Sequence, residues 1–137
     1  MHGLIEIKAA AATRDLLLKN LETGTVDICF DYSALVSFDN FNFMQVGKQY
    51  DCKISLFGAL DKEGIELRYL RDVKVGLKNI SEVVSAAGDI YYVGRDDRTK
   101  LSLSESLINR GDSFVFYAWR KDLIQVGDTV HANFFED

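Results

Sequence analysis

The sequence predicts an α+β, β-dominated fold: a small closed barrel or a curled antiparallel sheet with one or two short helices. Three observations lead there. Apolar and polar residues alternate over residues 26–30, 50–56 and 65–75, the period that sends one side-chain set to each face of a strand. Lone glycines and Asp/Asn clusters punctuate these runs, as hairpin turns require. Helix signals are confined to residues 13–21 and 80–87. At 137 residues the chain has the size of one domain and can bury a core without disulfides or metal. Residues 1–137 are therefore expected to form a single domain.

Taken in order, Leu4, Ile5 and Ile7 suggest a first strand or the approach to a helix. Residues 13–21 read as a helix. Thr13 caps it, Asp15 lies in its first turn, Leu17 and Leu21 share a face, and Gly24 stops the chain beyond its end. From Thr25 the period turns to two, with Val26, Ile28 and Phe30 on one face and Asp27, Cys29 and Asp31 on the other. Residues 35–38 and 41–46 read as a hairpin around Asp39-Asn40. Tyr50, Cys52, Ile54 and Leu56 mark the clearest strand.

Asp61-Lys62-Glu63-Gly64 reads as a charged turn, after which Ile65, Leu67, Tyr69, Val73 and Val75 keep the period of two. Asn79 with Glu82 three residues on resembles a capping box, and Gly88 a stop, so a short helix is expected over 80–87. Residues 90–93, 114–119 and 129–135 read as strands, and 101–108 are ambiguous. The order of strands and helix after residue 25 is similar to that of an OB-type barrel, in element order alone.

Composition narrows the function classes. With 47% hydrophobic and 27% charged residues the chain is composed like a globular protein. The net charge of −5 weighs against generic binding to nucleic acid or anionic membranes, because both reward a basic surface. It favours a protein partner over nucleic acid, and a basic one most easily. No run approaches 18 apolar residues, so no membrane partner is expected. Cys29 and Cys52 form no C-x-x-C unit, and no signal peptide is evident. Free thiols and a cytoplasmic location are the expectation.

Motifs for chemistry are sparse. The glycines are single and build neither a phosphate loop nor a dinucleotide fingerprint. Two cysteines and two histidines at scattered positions lack zinc spacing, so no metal or other cofactor is expected. Any Ser–His or Cys–His pair would have to use His131, which by alternation shares a face with Asn133 and points to solvent or a sheet edge. A small hydrolase built on His131 and acidic residues is one reading, and no catalytic residue is assigned. Residues 110–117, Arg-Gly-Asp-Ser-Phe-Val-Phe-Tyr, resemble the RNA-recognition signature at Arg110, Gly111, Phe114, Val115 and Tyr117, but Asp112 stands where a stacking aromatic belongs. An OB-like barrel holding single-stranded nucleic acid would draw on Tyr91, Tyr92, Arg95, Arg98, Phe116 and Trp119.

The aromatics carry the leading reading. Residues 114–119 are apolar on both faces, with Phe114 and Phe116 on one and Val115, Tyr117 and Trp119 on the other. Such a strand needs a cover for each face, and the N-terminal helix is the expected cover for one. Trp119, Arg120 and Lys121, expected at the tip of a final hairpin, form the candidate anchor, with Tyr117, Tyr91 and Tyr92 around them. The chain is thus expected to be a non-enzymatic binding module for a macromolecular partner. In size and charge it resembles inhibitor and immunity-type proteins.

Overall fold

The computed structural model describes residues 1–10, 13–31, 40–94 and 109–135. The strand expected at 35–38, the loop residues 95–97 and the stretch 101–108 lie outside them. Among the described residues the protein is β-dominated, with one mixed sheet. Its strands are β1 (His2–Ala9), β2 (Arg14–Asn20), β3 (Val26–Asp31), β4 (Gln49–Tyr50), β5 (Cys52–Val75), β6 (Lys78–Ser85), β7 (Ile90–Gly94), β8 (Ser113–Val126) and β9 (Thr129–Val130). A 3-10 turn follows at Ala132–Phe135. The sheet order is β4-β1-β2-β3-β8-β5-β6-β7, with β9 on β8 and a further pairing of β5 with β7. The β3–β8 and β5–β7 pairs are parallel and the others antiparallel.

Both expected helices are strands. In β2, Leu16 and Leu18 enter the core while Leu17 faces the other way, so period two prevails over the helical Leu17–Leu21 face. A short apolar run fits either period, and the neighbouring strands decide. Here β1 and β3 pair with β2 along its length. In β6, Ile80, Val83 and Val84 suit a pleated surface. Asn79 caps nothing. It pairs with Lys74 across the two-residue turn Gly76-Leu77, where Gly76 has φ 58°. Glu82 is engaged by side chains instead.

Three boundaries also move. Residues 41–43 form a turn, and Phe41 is a core residue. The strand expected at 129–135 ends at Val130 and gives way to the 3-10 turn. The charged segment 61–64 does not reverse the chain: Leu60 and Ile65 both face Phe116 of β8, so these four residues are extruded from a strand that continues past them.

The main core joins residues from both ends of the sheet path, among them Leu4, Leu16, Leu18, Leu67, Phe116 and Leu123. A smaller cluster of Val75, Ile80, Tyr92 and Ile124 lies under Phe134. The alternation in β3 holds, with an unexpected orientation: Asp27, Cys29 and Asp31 are buried, while Val26 and Ile28 are exposed. Buried carboxylates need partners, and residues remote in sequence supply them. Arg14 Nε lies 2.9 Å from Asp31, Lys121 Nζ 2.6 Å from Asp27, and the Tyr91 hydroxyl donates to Asp27 at 2.8 Å.

Both cysteines are free and buried. Burial drives the Cys29 thiol well above its usual range, with the Asp27 charge adding, and pushes Cys52 up to about 12. The thiolate is the reactive form. A thiol reagent at mildly alkaline pH is therefore expected to label neither cysteine in the folded chain and both after unfolding without reductant. Rapid labelling of the native protein, or none after unfolding, would contradict this placement.

Candidate interaction surface

The outer face of the sheet around β8 is built by one irregularity. β8 runs antiparallel to β5, with Phe57 opposite Arg120 and Gly58 opposite Ala118. Trp119 is the extra residue between them, a β-bulge. Simple alternation would send Trp119 and Arg120 to opposite faces; in the bulge both reach the ring of Phe57. The Trp119 and Phe57 rings meet edge-on at 5.9 Å, and the Arg120 guanidinium lies 5.0 Å from the Phe57 ring and 5.1 Å from that of Phe30. Gly58 makes the bulge possible, because a Cβ there would overlap the carbonyl oxygen of Tyr117.

Trp119 is 64% exposed, the highest value among the described large apolar side chains, followed by Leu77. Ile28 and Val26 on β3, Phe57 on β5, and Val115 and Tyr117 on β8 are exposed as well. Between β3 and β8 the pairing is reduced to one residue pair, Phe30 with Asp122. A groove of about 380 Å3 opens there, walled by Val26, Ile28, Phe30, Ala118 and Trp119. No helix covers this face among the described residues, so the expected N-terminal cover is absent there: that segment is β2.

The cations beside the groove are already neutralised. Arg120 makes two hydrogen bonds to Asp122, at 2.6 and 3.0 Å, and Lys121 is bonded to Asp27. Burial holds the Asp122 carboxyl above its usual range, and the Arg120 bond and charge offset only part of the rise. The surface is thus aromatic and apolar around Trp119, with its cations paired and Asp15 as a further carboxylate in the groove. Comparison with known protein families, curated proteins and solved structures gives no match. The reading of this face therefore rests on its geometry.

The other candidate residues divide between the two faces. Trp119, Arg120 and Tyr117 are exposed, in mid-strand and not at a hairpin tip, whereas the Lys121 ammonium turns inward to Asp27 and lies 5.9 Å from the Tyr91 ring. Tyr91 and Tyr92 are buried. Their hydroxyls are spent on Asp27 and Glu82, and burial together with those carboxylates pushes both phenols far up. Phe116 is a core residue, and Phe114, at an aromatic position of the signature-like stretch 110–117, packs against the same core where a nucleic-acid platform would expose it. Arg95 and Arg98 lie outside the described residues. His131 is 1% exposed, packs 6.1 Å from the Phe41 ring, and accepts the Asn133 N–H at Nδ1. It does not face solvent. Phe57, Phe30 and Ile28 join the site without a local signal in the sequence. Alternation puts Phe30 and Ile28 on one face of β3, and nothing local marks that face as outward.

Proposed function

We propose that the chain is a non-enzymatic binding module that holds a protein partner on the outer face of β3, β5 and β8, with Trp119 as its anchor. The observation that carries this is the exposed aromatic cluster Trp119–Phe57 beside a groove that mixes apolar side chains with Asp15, Arg120 and Lys121. Contiguous exposed apolar surface of this kind marks interaction sites, and Trp and Arg dominate binding hot spots. A protein partner is favoured over single-stranded nucleic acid because Arg120 and Lys121 are paired with carboxylates and the chain is acidic overall. An inhibitor or immunity-type role in the cytoplasm fits such a module.

We further read the sheet as an OB-like curl. Support comes from the pairings: β4 pairs with β1, β5 with β8, and only Asp51 separates β4 from β5, while β3 meets β8 in parallel.

The test is Trp119→Ala, scored for both stability and capture of the native partner. Truncating an exposed strand residue is expected to change stability by about 1 kcal/mol or less. Loss of a hot-spot anchor weakens binding by about 2 kcal/mol or more. Phe57→Ala should weaken capture in the same direction. A loss of about 3–5 kcal/mol of stability, as for a core aromatic, with capture intact would overturn the proposal.

A further inference from the structure

A second feature is independent of the Trp119 face. A cleft of about 440 Å3 opens where the start of β1, the β4–β5 junction, the far end of β5, and β6 and β7 converge. Its lining includes His2, which is nine-tenths buried and whose Nδ1 has no hydrogen-bond partner. A buried polar atom left unpaired is costly and calls for an explanation. Burial, ahead of the N-terminal amine, lowers the pKa of His2 against the opposing pull of Asp27, Asp89 and Asp51.

The remaining walls divide into spent and unspent groups. Glu82 accepts Arg71 Nε at 3.2 Å and the Tyr92 hydroxyl at 3.0 Å, so its carboxylate and the phenol are engaged, and Arg71 is paired with it through Nε. Lys53 and Lys74 form no ion pair among the described residues, and Lys53 Nζ stands 6.0 Å from the centre of the Tyr92 ring. Asp51 and Glu22 sit on the rim. The cleft thus offers two lysines that form no ion pair among the described residues, the edge of the largely buried Tyr92 ring and an unsatisfied imidazole, with two carboxylates, Asp51 and Glu22, at its rim.

We propose that this cleft binds a small organic anion. Its oxyanion group lies against Lys53 and Lys74, its flat body against Tyr92, and a hydrogen-bonding atom meets His2. Phosphate monoesters and carboxylates share this chemistry, and two probes separate them: phenyl phosphate and benzoate, with inorganic phosphate as the body-less control. Each is titrated into the full chain, tagged at its C-terminus, and followed by the NMR signals of His2, Lys53, Lys74 and Tyr92 and by the thermal midpoint, which a native-state ligand raises.

The expected result is saturable binding of at least one aromatic probe, with shifts centred on those four residues. Inorganic phosphate should bind about tenfold more weakly or not at all, because it lacks the body that the Tyr92 wall receives. Lys53→Gln with Lys74→Gln should weaken the aromatic probe about tenfold or more, as loss of charge-assisted hydrogen bonds does. His2→Leu should weaken it while leaving the fold intact, and Trp119→Ala should leave it unchanged. Failure of both aromatic probes to saturate, shifts scattered over surface lysines, or binding that survives the double lysine substitution would overturn the proposal.

Discussion

Gly58→Ala is expected to destabilise the protein by about 3 kcal/mol or more, beyond the usual cost of overpacking, because the obstacle is backbone. The added methyl would meet the Tyr117 carbonyl and the Ala118 Cα, neither of which can rotate away. β5 and β8 must separate there or the bulge must re-register. For a chain of this size the thermal midpoint should fall by roughly 10 °C. Loss of the bulge also removes the side-by-side placement of Trp119 and Arg120 on Phe57, so partner capture should fall with it. Gly94→Ala is the control: a Cβ there meets nothing within 4 Å among the described residues, and its φ is not positive. That substitution should be neutral within about 0.5 kcal/mol. Equal midpoints for the two variants would show that the close approach of β5 to β8 is not as described.

Asp89→Ala should cost a similar amount, about 3 kcal/mol, for a different reason. The Asp89 carboxylate is buried and accepts hydrogen bonds from Asn20 Nδ2 at 2.9 Å, Thr23 Oγ1 at 2.6 Å and Thr25 Oγ1 at 2.7 Å. Its own N–H donates to the Ser85 hydroxyl at 3.1 Å. One side chain therefore ties the β2–β3 turn to the β6–β7 turn across more than sixty positions of sequence. Hydrogen bonds to a charged acceptor each contribute about 1.5–3 kcal/mol, and their loss leaves buried donors unpaired. Asp89→Asn keeps one acceptor and should recover part of the loss. The measurement is denaturant unfolding of the three proteins, and an alanine variant as stable as the parent would remove this tie from the account.

How far the fold can be read from sequence depends on where the deciding partners lie. β3 and the two arms of β5 follow from local alternation, while β7 and the first part of β8 read as strands from short runs of aromatic and β-branched residues. β2 does not, since Leu16-Leu17-Leu18 satisfies either period and only pairing with β1 and β3 selects the strand. β6 was masked by a capping pattern whose Glu82 serves Arg71 and Tyr92 instead. The inward face of β3 was unreadable for the same reason: Asp27 and Asp31 are buried because Lys121, Tyr91 and Arg14 arrive from elsewhere. Trp119 was legible as an aromatic on a two-faced strand. Its neighbours were not, because the bulge depends on Gly58, some sixty residues away in the chain.

Trp119 is the chain's single tryptophan, so its fluorescence reports directly on the central claim that this face is open in the free protein and closed by a partner. Acrylamide quenching should be nearly as efficient in the folded protein as in the unfolded chain, and should fall sharply when the captured partner is added back. A native tryptophan shielded from quencher before any partner is present, or one whose accessibility the partner leaves unchanged, would contradict it.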